Sequence, residues 1–396
     1  MRDPTSLTVR RDRLRRLTPN EGVIEQVLVY AESPFRLDTL HAPVFPLPDE
    51  AHVSDWRRYS AEAGEGDHFA VLQRKLRRLN IPIREGVSNT DAYARLVRRG
   101  EPFEEQAFGE SLFLAHPEGF RFYLHGHPAG TLPVLFTSFR TDFETLYRAL
   151  AHRCEPVPVN PSVNAQMIAG FANWDRVGRC RREWEASRSP DASETGWSDE
   201  MSRLARAEPQ RFYDRFILIG EAAYGSVSSR ALGLDVGEDE WVQLSRTVRL
   251  EHEFTHYATK RLFGLMRQNL LDETVADFCG LTLALGRFRA NWFLRCLGLG
   301  GWPHVDPNGR VHAYRAGLDA NAFNLVCQLT VQAAARLEDI AARRYDCRRR
   351  GAFFLALASV SLDLLASEVA EPVFLQAYDL AMRLDPPAGT ESRGTS

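Results

Sequence analysis

From residue 239 onward, five stretches carry apolar residues at the three-and-four spacing of an α-helix: 239–261, 273–285, 321–344, 352–367 and 372–383. A sheet alternates its side chains every second residue and cannot hold such a pattern. This part of the chain must therefore bury helix against helix. Ahead of it, the apolar run 216–219 suits one buried strand, and the longest apolar stretch, 353–366, is interrupted by Asp363 and is too short to span a bilayer.

The first third reads differently. Short strand signals fall at 24–30, 111–114, 120–124 and 131–137, with Pro117-Glu118-Gly119 placed as a hairpin turn. Helical patterns lie at 68–79 and 141–153; the second has Asp142 and Glu144 near its start and Arg148 and Arg153 near its end, matching the helix dipole. The run P-V-P-V-N-P at 156–161 then breaks regular structure. The expectation is an α+β protein: a small mixed α/β part over 1–155, a mainly helical part over 156–385 and a disordered tail over 386–396. Residues 187–198, polar with Pro and Gly, are expected to be an exposed loop.

Apolar residues at 44% and charged residues at 26% are ordinary globular values and allow a sizeable core. A net charge of −3 offers no field for nucleic acid or an anionic membrane. Of 49 basic residues only Lys75 and Lys260 are lysines, a bias that a GC-rich genome explains. The basic clusters 10–16 and 75–78 accordingly read as solvated helix faces, and no aromatic interleaving marks a nucleic-acid surface. Six cysteines without a C-x-x-C pair, and a charged N-terminus without an apolar signal core, point to a reducing, cytoplasmic setting. G-x-S-x-G, a Walker lysine motif and a dinucleotide fingerprint are all missing.

Within the first long helical pattern stands Arg249-Leu250-Glu251-His252-Glu253-Phe254-Thr255-His256, which contains H-E-x-x-H. Residues four apart share a helix face, so His252 and His256 present two imidazoles to one metal, with Glu253 beside them. After a break at 264–269, Glu273 and Asp277 are again four apart on the next helix. That helix, packed on the first, can supply Glu273 as a third ligand and Asp277 as acceptor for the outer N–H of a ligating histidine. Three protein ligands with an open fourth position describe a catalytic rather than a structural zinc site. Plain alternatives exist: two core histidines, and an acid favoured by the start of a helix. Glu251 points in another helical direction and reads as a surface or outer carboxylate.

The pattern H-E-x-x-H followed by E-x-x-x-D resembles the gluzincins, the thermolysin-like and aminopeptidase-like zinc peptidases, over residues 251–280. The resemblance implies a zincin-like helical part, with His252, His256 and Glu273 on zinc, Glu253 as general base and Asp277 behind a histidine. The function expected is a zinc metallopeptidase or amidase acting on a peptide or small-molecule substrate. His312, Tyr314 and Arg315, in a loop-like stretch before a long helix, are candidates for stabilising an oxyanion or moving a proton. Two other readings use the same residues: a non-haem Fe(II) oxygenase, with iron on the two histidines and the glutamate, and a non-catalytic protein with a structural metal. His125-Gly126-His127 reads as a solvated turn, and Asn173-Trp174-Asp175-Arg176 as either core or a pocket wall. Oligomeric state has no signature here.

Overall fold

The run 216–219 is the middle of β4 (Tyr213–Gly220), which completes a mixed sheet with β1 (Phe120–His125), β2 (Leu132–Thr137) and β3 (Ala165–Ala172) in the order β1-β2-β4-β3. The structure is a computed structural model that describes residues 3–102, 107–187 and 196–384. β2 runs antiparallel to β1 and parallel to β4, while β3 is antiparallel to β4 with a bulge between Ala169 and Phe171. The two central strands are nearly continuous in buried apolar residues, as strands covered on both faces must be. Helices Val53–Ala63, His68–Lys75 and Arg140–Leu150 pack on this sheet, and Trp56, Phe69, Phe122, Phe143 and Phe216 form the centre of its core.

The α+β expectation holds. The boundary at residue 155 does not. The chain divides into two units, Pro46–Glu221 and Met1–Phe45 with Ala222–Ser396. The proline-rich segment lies inside the first, where Arg148 donates to the Val157 carbonyl at 2.9 Å and Arg140 to the Val163 carbonyl at 2.6 Å. Prolines there keep a connecting segment irregular after the helix has ended at Leu150, while the strands on either side of them belong to one sheet. The loop expected at 187–198 falls mostly, and the tail at 386–396 wholly, outside the described residues; Trp197 already opens a helix, Trp197–Ala207.

Residues 24–30 are helical too, within Glu21–Ala31. Their β-branched content suggests a strand, but Val23, Ile24, Val27, Leu28, Tyr30 and Ala31 are the buried positions, a helical spacing, and the Asn20 side chain caps the start by accepting from Val23 N. Residues 111–114 form no strand. Leu112 and Leu114 are buried and Phe113 is exposed, yet the following amides of Ala115 and His116 donate to the Asp142 carboxylate instead of to a neighbouring strand. Pro117–Gly119 is thus a lead-in to β1 rather than a hairpin turn. The pattern at 352–367 breaks at Val360 into Arg350–Ser359 and Leu362–Leu365.

In the second unit, helices Glu238–Phe263, Leu270–Leu285, Ala320–Arg344 and Ala370–Leu384 surround a core that includes Trp241, Val248, Val275, Phe278, Val326 and Phe353. The N-terminal helices Leu7–Arg15 and Glu21–Ala31 belong to this core, through Leu14, Val27 and Leu28. Glu238–Phe263 and Leu270–Leu285 lie against each other and come close at Gly280, where a Cβ would sit 2.6 Å from the Val248 carbonyl oxygen. Among the described residues no helix is long and apolar enough to cross a membrane.

Candidate metal centre

The histidine helix ends at Gly264, whose φ of 74° closes it in the left-handed conformation. Asn269 then starts the next helix. Its side chain accepts from Asp272 N at 3.0 Å and donates to the Tyr30 carbonyl at 3.1 Å, while Leu270 N donates to the Tyr30 hydroxyl at 2.9 Å. This tight turn sets Glu273, in the first turn of the second helix, opposite the two histidines.

His252 Nε2 and His256 Nε2 lie 3.1 Å apart, and the Glu273 carboxylate is 3.5 Å from the first and 3.4 Å from the second. All three donors fall within 4.8 Å of one another, the one such group of His, Cys, Asp or Glu found among the described residues. Behind His252, Asp277 Oδ1 accepts from Nδ1 at 2.7 Å. A carboxylate only accepts, so Nδ1 carries the hydrogen and the Nε2 lone pair faces inward. Glu253, buried like the histidines, lies near enough for its charge to act on His256.

Two residues that sequence reasoning did not reach complete the cluster. The Tyr224 hydroxyl donates to Asp277 Oδ1 and lies 3.1 Å from His252 Nδ1. Arg310 forms an ion pair with Asp277 Oδ2, donates to the Tyr224 hydroxyl at 2.9 Å and stands 3.8 Å from Glu273. Tyr224 is itself held by Ser245, whose Oγ accepts from Tyr224 N at 2.9 Å, and by Arg249, which donates to the carbonyls of Ala222 and Ala223. No local spacing announces Tyr224 or Arg310, and one arginine among so many carries no signal.

Of the loop candidates, Tyr314 is brought to the cluster and His312 and Arg315 are not. The Tyr314 side chain lies near enough for the Glu273 charge to act on it; burial and that charge hold its pKa well above the usual tyrosine value, so it keeps its proton. His312 is exposed, and its Nε2 meets the Asp306 carbonyl at 2.9 Å. Its short helical turn points it away from the cluster, whereas Arg310 on the same turn points in. Arg315 donates to the Leu318 carbonyl.

The electrostatics of the cluster are dominated by the pairing of Glu273 with the two histidines. Burial opposes charge on His256, yet Glu273 outweighs it and raises the imidazole to about 9. Burial opposes charge on Glu273 as well, and His252, His256 and Arg310 bring it down to about 2. Burial, helped by the Glu273 charge and opposed by His256 and Arg267, lifts Asp272 to about 6. Protonated His256 donates from Nε2 to the His252 Nε2 lone pair at 3.1 Å, while Glu273 Oε2 is buried with no hydrogen-bond partner. A divalent ion satisfies all three atoms at once; nitrogen and oxygen donors in this ratio suit zinc and also iron.

The chain belongs to a family of unknown function (DUF7005), which it matches over residues 12–369. No curated protein and no solved structure matches it.

Proposed function

We propose that the protein is a metal-dependent hydrolase, a zinc peptidase or amidase of gluzincin type, working in the cytoplasm on a peptide or small amide. The observation that carries the reading is the convergence of His252, His256 and Glu273 with Glu253 alongside and Asp277 behind His252. All six cysteines are free thiols, in keeping with a reducing compartment.

His252, His256 and Glu273 would hold the ion. Zinc in such a site supplies a Lewis acid that lowers the pKa of water to about 7. Glu253 takes the proton of the attacking water on its carboxylate and returns it to the leaving nitrogen. Asp277 fixes the tautomer of His252, and Arg310 and Tyr224 fix Asp277. Tyr314 offers a protonated hydroxyl beside Glu273, placed to donate to a developing oxyanion.

Elemental mass spectrometry on aerobically and anaerobically purified protein, with His252→Ala as control, tests the site. One zinc per chain, lost in the variant, is expected. Iron retained only without air would replace the hydrolase by an oxygenase, and no metal in either preparation would end both. Glu253→Gln is expected to keep metal and fold while cleavage of library peptides or amides falls about 10²–10⁴-fold. Unchanged cleavage would remove Glu253 from the mechanism.

A further inference from the structure

The Pro46–Glu221 unit contains a cavity of about 630 Å³ walled by Arg78, Arg98, Arg153, Tyr93, Trp174 and Phe212, none of them part of the metal centre. Among the described residues no carboxylate lines it. Elsewhere in this unit arginines meet acids, as Arg74 meets Glu62 and Arg179 meets Asp55. Here Arg78 donates to the Leu150 carbonyl at 3.0 Å and Arg98 to the Ser88 carbonyl at 3.2 Å, neutral groups, and neither pairs with an acid among the described residues. Arg153 adopts a φ of 56° and Cys154 a φ of 64°, a backbone region that side chains other than glycine enter at a cost. The bond from Cys154 N to the Arg148 carbonyl, 2.9 Å, holds that turn.

Tyr93 lines the same cavity as the three arginines. Its side chain is 1% exposed, its hydroxyl has no hydrogen-bond partner, and Arg78, Arg153 and Arg98 all act on it electrostatically. A buried donor without an acceptor, beside three guanidiniums that pair with no acid among the described residues, is a site short of an anion. The other wall is apolar. Trp174 fixes its ring by donating from Nε1 to the Val97 carbonyl at 2.7 Å, and Val177, Met201 and Phe212 continue the surface. Gly170, the bulged residue of β3 with φ 68°, also borders the cavity, and a Cβ there would meet nothing within 4 Å.

We propose that this cavity binds a small anion carrying a planar apolar group, of the aryl phosphate class, its charge held by Arg78, Arg98 and Arg153 and its ring laid on the Trp174 side. The volume lies in the range of small-molecule sites. Guanidinium forks match phosphate oxygens geometrically, and the aromatic wall accounts for the planar group. The segment Asn173-Trp174-Asp175-Arg176 is thereby divided: Trp174 lines a pocket, while Asn173 and Arg176 bond the buried Asp214.

Calorimetric titration of the full chain with phenyl phosphate, inorganic phosphate and phenol tests this. Phenyl phosphate is expected to bind at least about tenfold more tightly than either of the others. Arg98→Ala and Arg153→Ala, both exposed and bonded to no acid among the described residues, are each expected to weaken it about tenfold with an unchanged melting temperature. His252→Ala should leave binding as it is, because the metal centre takes no part. Inorganic phosphate binding as well as phenyl phosphate, binding indifferent to both arginine variants, binding lost in His252→Ala, or no heat with any probe to about 10 mM would each overturn the proposal.

Discussion

His256 and Glu273 form, without metal, an ion pair that a metal must break. With its pKa raised from 6.5 to about 9, His256 stabilises the metal-free fold fully below pH 6.5, and that contribution is lost as pH rises through 9. Glu273, lowered to about 2, contributes above pH 4.5 and loses its part only as pH falls towards 2. Metal coordination requires the neutral imidazole, so binding releases the His256 proton over most of the physiological range. Apparent zinc affinity, measured by chelator competition, is therefore expected to rise between pH 6.5 and 8.5 by up to about tenfold per unit. The melting temperature of chelator-treated protein should fall across the same window. A flat affinity profile would mean that no proton is displaced. Much of this site was legible in the sequence, because His252 and His256, and again Glu273 and Asp277, stand four apart on helices and local spacing is what a sequence displays. Tyr224 and Arg310 reach Asp277 from distant loops, and only the fold brings them there.

At the level of elements, ligand geometry depends on how closely two helices approach. Gly280 lies two turns beyond Glu273, and Val248 one turn before His252, so the contact between them bears on the gap across which the proposed ligands meet. Gly280→Val places branched carbon against the Val248 carbonyl and forces the helices apart. The expected result is a stability loss of about 1–3 kcal/mol in urea unfolding, with weakened zinc binding in the same protein. Lost stability with intact zinc affinity would show that the ligands follow local helix ends rather than the crossing. The long helices were legible because their apolar spacing persists over several turns. β3 was not: Ala165-Gln166-Met167-Ile168-Ala169-Gly170 carries one β-branched residue and a bulged glycine, so neither composition nor alternation marks a strand. Residues 24–30 misled in the opposite sense, since β-branched side chains there serve a helix whose buried spacing decides its form.

Over the whole molecule, the sequence break at 156–161 and the break between units are different things. Prolines mark where a helix or strand must stop, whereas a unit ends where its core and hydrogen bonds close, and the sheet closes only when β4 enters between β2 and β3. A fragment ending at residue 155 has β1 and β2 but lacks both remaining strands, exposing the β2 edge and the core positions Leu135 and Phe143 that Phe216 and Leu218 cover. It also carries residues 1–45, whose apolar faces belong to the core of the other unit. The contiguous stretch 46–221 keeps the sheet, its helices and the arginine-lined cavity, and is of ordinary domain size. Expressed alone, 46–221 is expected to unfold in one cooperative transition by circular dichroism, while 1–155 should show no transition and should aggregate. Cooperative melting of 1–155 would move the boundary back to the prolines. Failure of 46–221 to melt cooperatively would make that unit dependent on the rest of the chain.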